Sequence, residues 1–152
     1  MHKFCQQCAQ DISNNLPLSH CFYEKVDKIN GITVFYASPG ETILYKDVEG
    51  IMSHIKHMLL DHGKKPWVLH IDGEGFETKH ASQITIVYQF LDMVKKDYLD
   101  GLMLVEIICP SKQMHGVITI VWPFLPERLK RIITIRPQSK SEISFDVYDE
   151  SW

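Results

Sequence analysis

From residue 32 onward the apolar positions follow two rhythms in turn. Ile32 to Ala37 (ITVFYA) is β-branched and aromatic, and Gly31 and Ser38-Pro39-Gly40 bound it, which predicts a strand between turns. Thr42 to Tyr45 reads as a second short strand. Val48, Ile51, Met52, Ile55, Met58 and Leu59 then recur at helical spacing, with Asp47 as N-cap and His62-Gly63 as the stop. Trp67 to Ile71 (WVLHI) is a near-continuous apolar run of the kind buried parallel strands carry. Ile84, Val87, Tyr88, Leu91, Val94 and Tyr98 keep helical spacing in a segment that begins at Lys79 or His80 and ends at Tyr98. Leu102 to Cys109 is a third buried strand, which Pro110 stops, and Ser111 is a good N-cap for a helix after it.

Between Ser111 and Pro123 two local rules conflict. Gly116 to Trp122 is rich in β-branched residues, and propensity alone favours a strand. The strand–helix–strand rhythm around it favours a crossover helix, and this second rule is taken to prevail. Pro126 to Lys130 reads as a helical turn, Ile132 to Ile135 as a further strand, and Ser141 to Tyr148 as an edge strand or a tail docked on the sheet. The pattern as a whole predicts an α/β fold with a mostly parallel central sheet and crossover helices. A chain of 152 residues fits one domain with one sizeable core. The division expected is an irregular, cysteine-containing lead-in over residues 1–30 and a single α/β domain over 31–152.

Charge narrows the partners. The net charge is −3 and no sustained basic stripe is present, so nucleic acid is not an expected partner. Lys95-Lys96 and Arg128-Lys130-Arg131 read as solvated faces. The N-terminus, MHKFCQQCAQ, lacks an apolar signal region, and no apolar run approaches the roughly 20 residues of a membrane span. Four unevenly spaced cysteines fit a reducing compartment, and the expected location is cytoplasmic.

Candidate chemistry is sparse. Cys5-x-x-Cys8 followed by His20-Cys21 offers four soft donors, the number tetrahedral zinc takes, but the leading reading is plain reduced cysteines. Asp72 lies at the carboxyl end of a central strand, where α/β proteins place ligands, with His70, His80, Cys109 and Ser111 near such ends too. Capping and packing explain these residues more simply. His54, His57 and His62 share one helix and read as a solvated face. Nucleophile elbow, phosphate loop and paired-carboxylate signatures are missing, and Gly73-x-Gly75 lacks the rest of a dinucleotide loop. Neither an enzyme nor a cofactor is expected.

Four places in order carry a resemblance. They are Lys65-Pro66-Trp67-Val68-Leu69-His70-Ile71-Asp72-Gly73-Glu74-Gly75-Phe76, then Lys96-Asp97-Tyr98, then Val105-Glu106-Ile107-Ile108-Cys109-Pro110, then Trp122-Pro123-Phe124-Leu125. Together they resemble the CRAL-TRIO lipid-binding family over roughly Ile32 to Ile135. The resemblance implies a sheet floored by helices and a hydrophobic pocket closed by a gate helix, here Met114 to Trp122. It implies a pocket lined by Tyr88, Leu91, Met114, Val117, Ile118, Val121, Trp122 and Phe124. The ligand implied is a lipid or other small hydrophobic molecule, with transient contact to a membrane surface. Leu99-Asp100-Gly101 and Trp122 stand where family members carry polar headgroup contacts, and the family's N-terminal helical extension is short or absent here. The alternative is a protein-interaction module of the same fold with a filled core, using Phe145, Tyr148 and Trp152 for a protein partner. A STAS-like regulatory domain ranks below both, because Asp72-Gly73-Glu74-Gly75 replaces its Asp-Ser-Ser-Gly turn.

Overall fold

A computed structural model describes residues 6–14, 19–20 and 22–137. Cys5, Cys21 and the Ser141–Tyr148 segment, with Phe145, Tyr148 and Trp152, lie outside the described residues.

The sheet has five strands, β1 (Phe22–Glu24), β2 (Thr33–Ala37), β3 (Trp67–Asp72), β4 (Leu102–Ile108) and β5 (Ile133–Arg136), side by side in chain order. β2 to β5 pair in parallel, and β1 joins the edge antiparallel to β2. Each parallel step needs a crossover. The first is α2 (Val48–His62), the second α3 (Thr78–Ala81) with α4 (Ile84–Met93), and the third α5 (Lys112–Val121) with α6 (Glu127–Ile132). Side chains of α2, α4, α5 and α6 share one core cluster with Phe35, Leu69 and Val105, so the crossovers lie on one face of the sheet. α1 (Gln6–Ser13) precedes the sheet.

Local chemistry sets most boundaries. The Asp47 carboxylate accepts from the Gly50 amide and caps α2, and Gly63 ends it at φ +77°. Ser111 caps α5 by accepting from the Met114 amide at 3.2 Å. The β-branched segment is therefore a helix, as the crossover rhythm requires. Trp122–Phe124 continues it as a 3₁₀ turn with Pro123 inside.

Three elements differ from the sequence pattern. Residues 43–46 form turns, not a strand, because the Leu44 amide donates to the Ser19 carbonyl rather than to a ladder. The helix expected up to Tyr98 is broken at Ser82-Gln83, and its last turn, Val94–Tyr98, opens into a π-helix. Phe22–Glu24, in the stretch read as irregular, is a strand because Phe22 stacks on Phe35 at 5.5 Å and completes the core.

Strand alternation gives the sheet two unlike faces. The helix-facing side carries Phe35, Leu69 and Val105 in register, then Ala37, Ile71 and Ile107. The opposite side carries Tyr36, His70, Glu106 and Thr134 in register. Both apolar-reading central strands thus bury a polar side chain.

Candidate functional site

A cavity of about 250 Å3 lies between the helix-facing side of the sheet and the crossover helices. Its floor is Ala37, Leu69, Ile71, Val105, Ile107 and Ile133. One wall is α4, through Ile84, Ile86, Val87, Phe90 and Leu91, and the other is α5, through Met114, Val117, Ile118 and Val121. The sequence explains why space remains. α4 (ITIVYQFLDM) is apolar nearly all round, yet none of its ten residues is buried. Apolar helices of this kind ordinarily sit inside a core. This one stands off the sheet, whereas α5 buries Met114, Val117 and Val121.

The polar members of the lining are His20, Thr42, Tyr45, His80 and Gln83. Tyr45 and His80 are in edge contact at 4.9 Å, and His80 stacks on Phe76 at 5.6 Å. The Glu77 amide donates to His80 Nδ1 at 2.9 Å, so the neutral ring carries its proton on Nε2. Burial first, and Lys79 second, lower the His80 pKa below its ordinary value and favour that neutral form at pH 7. One end of an otherwise apolar cavity therefore holds a neutral imidazole donor against the Tyr45 ring, while the Thr42 hydroxyl in the lining donates to the Ser38 carbonyl at 3.0 Å. Gly40 brings that end together, since a methyl there would overlap the Glu74 carbonyl and the backbone leading to Phe76.

Of the eight residues the resemblance placed at the pocket, Leu91, Met114, Val117, Ile118 and Val121 line it. Tyr88, Trp122 and Phe124 do not. Tyr88 and Phe124 meet edge to face at 6.1 Å on the outside, Phe124 is 62% exposed, and Lys130 lies 6.0 Å over the Trp122 ring. Trp122 and Phe124 fail as pocket residues because the 3₁₀ turn swings them past the end of α5, and Tyr88 on α4 turns outward to meet Phe124. Sequence reasoning missed the α4 residues Ile84, Ile86 and Phe90 and the strand floor. The signal that could have found them is the all-round apolarity of 84–91.

The basic cluster is not wholly solvated. Arg128 donates to the carbonyls of Leu99, Asp100 and Leu102 at 3.0 to 3.3 Å and ties α6 to the turn before β4. Asp72 caps its own turn, accepting from the Glu74 amide at 2.9 Å and from the Tyr36 hydroxyl at 2.5 Å. Cys109 turns the chain at φ +50°, with its amide bonded to the Arg136 carbonyl. These contacts account for Asp72 and Cys109 as structural residues.

The helix histidines contradict the solvated-face reading. His54 is 1% exposed and donates Nε2–H to the Phe22 carbonyl at 2.7 Å. His62 is buried and bonds the Lys65 and Pro66 carbonyls, so of the three it is His57 that faces solvent. Amphipathic spacing on α2 places 54 with Ile51, Ile55 and Met58 on the inner face, and residue type misled. Of the weaker zinc set, Cys8 and His20 do meet, with Sγ 3.6 Å from Nδ1.

Among the described residues no helix is long and apolar enough to cross a membrane. No curated protein matches the chain in a sequence comparison. The crystal structure of Sfh5 shares the fold, with a TM-score of 0.59 at 9% identity; the match covers 91% of this chain and 61% of that one. The chain thus spans about three-fifths of the length of that relative. The model of the CRAL/TRIO domain family matches residues 19–149, nearly the whole described sheet and every wall of the cavity, and the chain belongs to that family.

Proposed function

We propose that this domain binds a lipid or other small hydrophobic molecule without catalysis, in the cavity between α4, α5 and the sheet. The observation that carries the reading is an apolar helix, α4, with no buried residue, standing over about 250 Å3 of apolar space. That volume exceeds the roughly 150 Å3 of a cavity that takes benzene. It falls just below the roughly 300–1,000 Å3 of typical ligand pockets. A ring system or a short stretch of acyl chain fits as the cavity stands, and a larger ligand needs a wall to move. α4 is the less tightly held wall, bounded by the Ser82-Gln83 break and the π-turn at 94–98. The open volume favours this reading over a filled-core interaction module.

The neutral His80 ring and the Tyr45 hydroxyl would face the ligand's polar end. Tyr88, Trp122, Phe124 and the 54% exposed Ile120 would touch the membrane from which the ligand is drawn. Apolar burial would drive binding at about 25 cal/mol per Å2, less the cost of ordering the partners.

Native mass spectrometry of the full chain, mixed with phosphatidylcholine liposomes and recovered, tests this. A retained lipid mass in wild type, lost in Val117→Trp with folding intact, is expected. Sustained absence of any lipid mass in wild type would sink the proposal.

A further inference from the structure

We propose that Cys8, His20 and His54 form a zinc site that clips α1 and residues 19–20 onto α2. The three side chains are 0%, 5% and 1% exposed and come from three separate segments. One donor atom from each lies within 4.8 Å of the others. The Cys8 Sγ to His20 Nδ1 separation is 3.6 Å. Ligands about 2.3 Å (sulfur) and about 2.05 Å (nitrogen) from a tetrahedral zinc lie about 3.6 Å apart.

The imidazoles are oriented as metal ligands usually are, with the second ring nitrogen tied to an acceptor. His20 donates Nε2–H to Asp47 Oδ2 at 3.0 Å. His54 donates Nε2–H to the Phe22 carbonyl. A carboxylate and a carbonyl only accept here, so both rings present Nδ1 as the lone-pair nitrogen. Neighbouring groups fix the frame. Asp11 accepts from the Ser19 amide and hydroxyl at 2.7 Å, and the Ser19 carbonyl receives the Leu44 amide. A methyl at Gly50 would strike both the Asp47 carboxylate and His20 Nε2, so this glycine makes room for the pair.

The donor set decides the metal. One thiolate and two imidazoles select zinc over calcium or magnesium, which take oxygen. Zinc replaces the thiol proton, so binding releases one proton, and the Asp47 carboxylate offsets the remaining charge. A fourth donor such as water completes four-coordination.

The test uses the tag-free full chain with zinc chloride or cobalt chloride alone. One zinc per chain in the native mass spectrum, a higher melting temperature on adding zinc to chelator-stripped protein, and a thiolate-to-cobalt charge-transfer band are expected. Cys8→Ser should abolish that band, and His54→Gln should weaken zinc binding by about tenfold or more. His57→Gln, on the exposed side of α2, should change nothing. No bound metal and no melting shift in wild type at tenfold excess zinc would overturn the site. A cobalt complex without the thiolate band would do the same, and it needs no variant to fold.

Discussion

The two faces of the sheet are made by the same strands and end up as opposite materials. The helix-facing side is apolar and incompletely filled, with a cavity under α4. The other side buries polar and charged groups beside a small apolar cluster of Ile29, Val34 and Val68. Glu106 there is 0% exposed and accepts from Arg136 Nε at 2.7 Å, in register with His70 on the neighbouring strand. The difference lies in what each kind of contact tolerates. Apolar walls lose only dispersion and some burial when a gap opens. A buried charge that loses its partner keeps its whole desolvation penalty. A binding cavity is therefore cheaper to keep on the apolar side than among the buried charges of the other.

That contrast breaks first at Arg136. Arg136→Met should cost about 3 kcal/mol in urea unfolding, the low end for breaking a buried pair because Arg136 is itself partly exposed. A loss under about 1 kcal/mol would mean the polar face is not rigidly paired.

Acid is the next lever. Burial first, then Lys25 and Arg136, hold the His70 pKa down to about 4 against an ordinary 6.5. A lowered histidine pKa means that the unfolded chain binds the proton better. The stability is complete above pH 6.5 and drains away as pH falls toward 4, by roughly 3 kcal/mol at most. His54, lowered mainly by burial, acts in the same direction. Unfolding free energy measured from pH 7 to 4 should fall in wild type and fall less in His70→Gln. Parallel curves would place the acid sensitivity elsewhere.

The smallest effect sharpens the comparison most directly. Val117→Leu adds a methylene beside open volume and should shift stability by under about 1 kcal/mol. Val68→Leu adds the same group where Val68 is fully buried beside Val34 on the opposite face, and should cost about 1–3 kcal/mol. Equal costs at both sites would mean the cavity closes in solution.

Strands, crossover order and caps were legible in the sequence because they are local or periodic. Asp47, Gly63 and Ser111 mark helix ends by side-chain chemistry within a turn, and β2 to β5 stand within a residue or two of their predicted limits. The cavity was half legible. The family resemblance gave Leu91, Met114, Val117, Ile118 and Val121, but it also carried Trp122 and Phe124, which lie past the point where the helix tightens into a 3₁₀ turn. The histidines were misread because residue type was weighed above position on the helix.

What the sequence determined by itself was the α/β order and, through four ordered motifs, the CRAL/TRIO family. What only the tertiary structure decided was which apolar surfaces fail to touch. It also brought Cys8, His20 and His54 to one point from positions 12 and 34 residues apart. Periodicity reports which face a side chain leaves from. Distance between elements depends on the summed packing of all the others, and no local pattern encodes it.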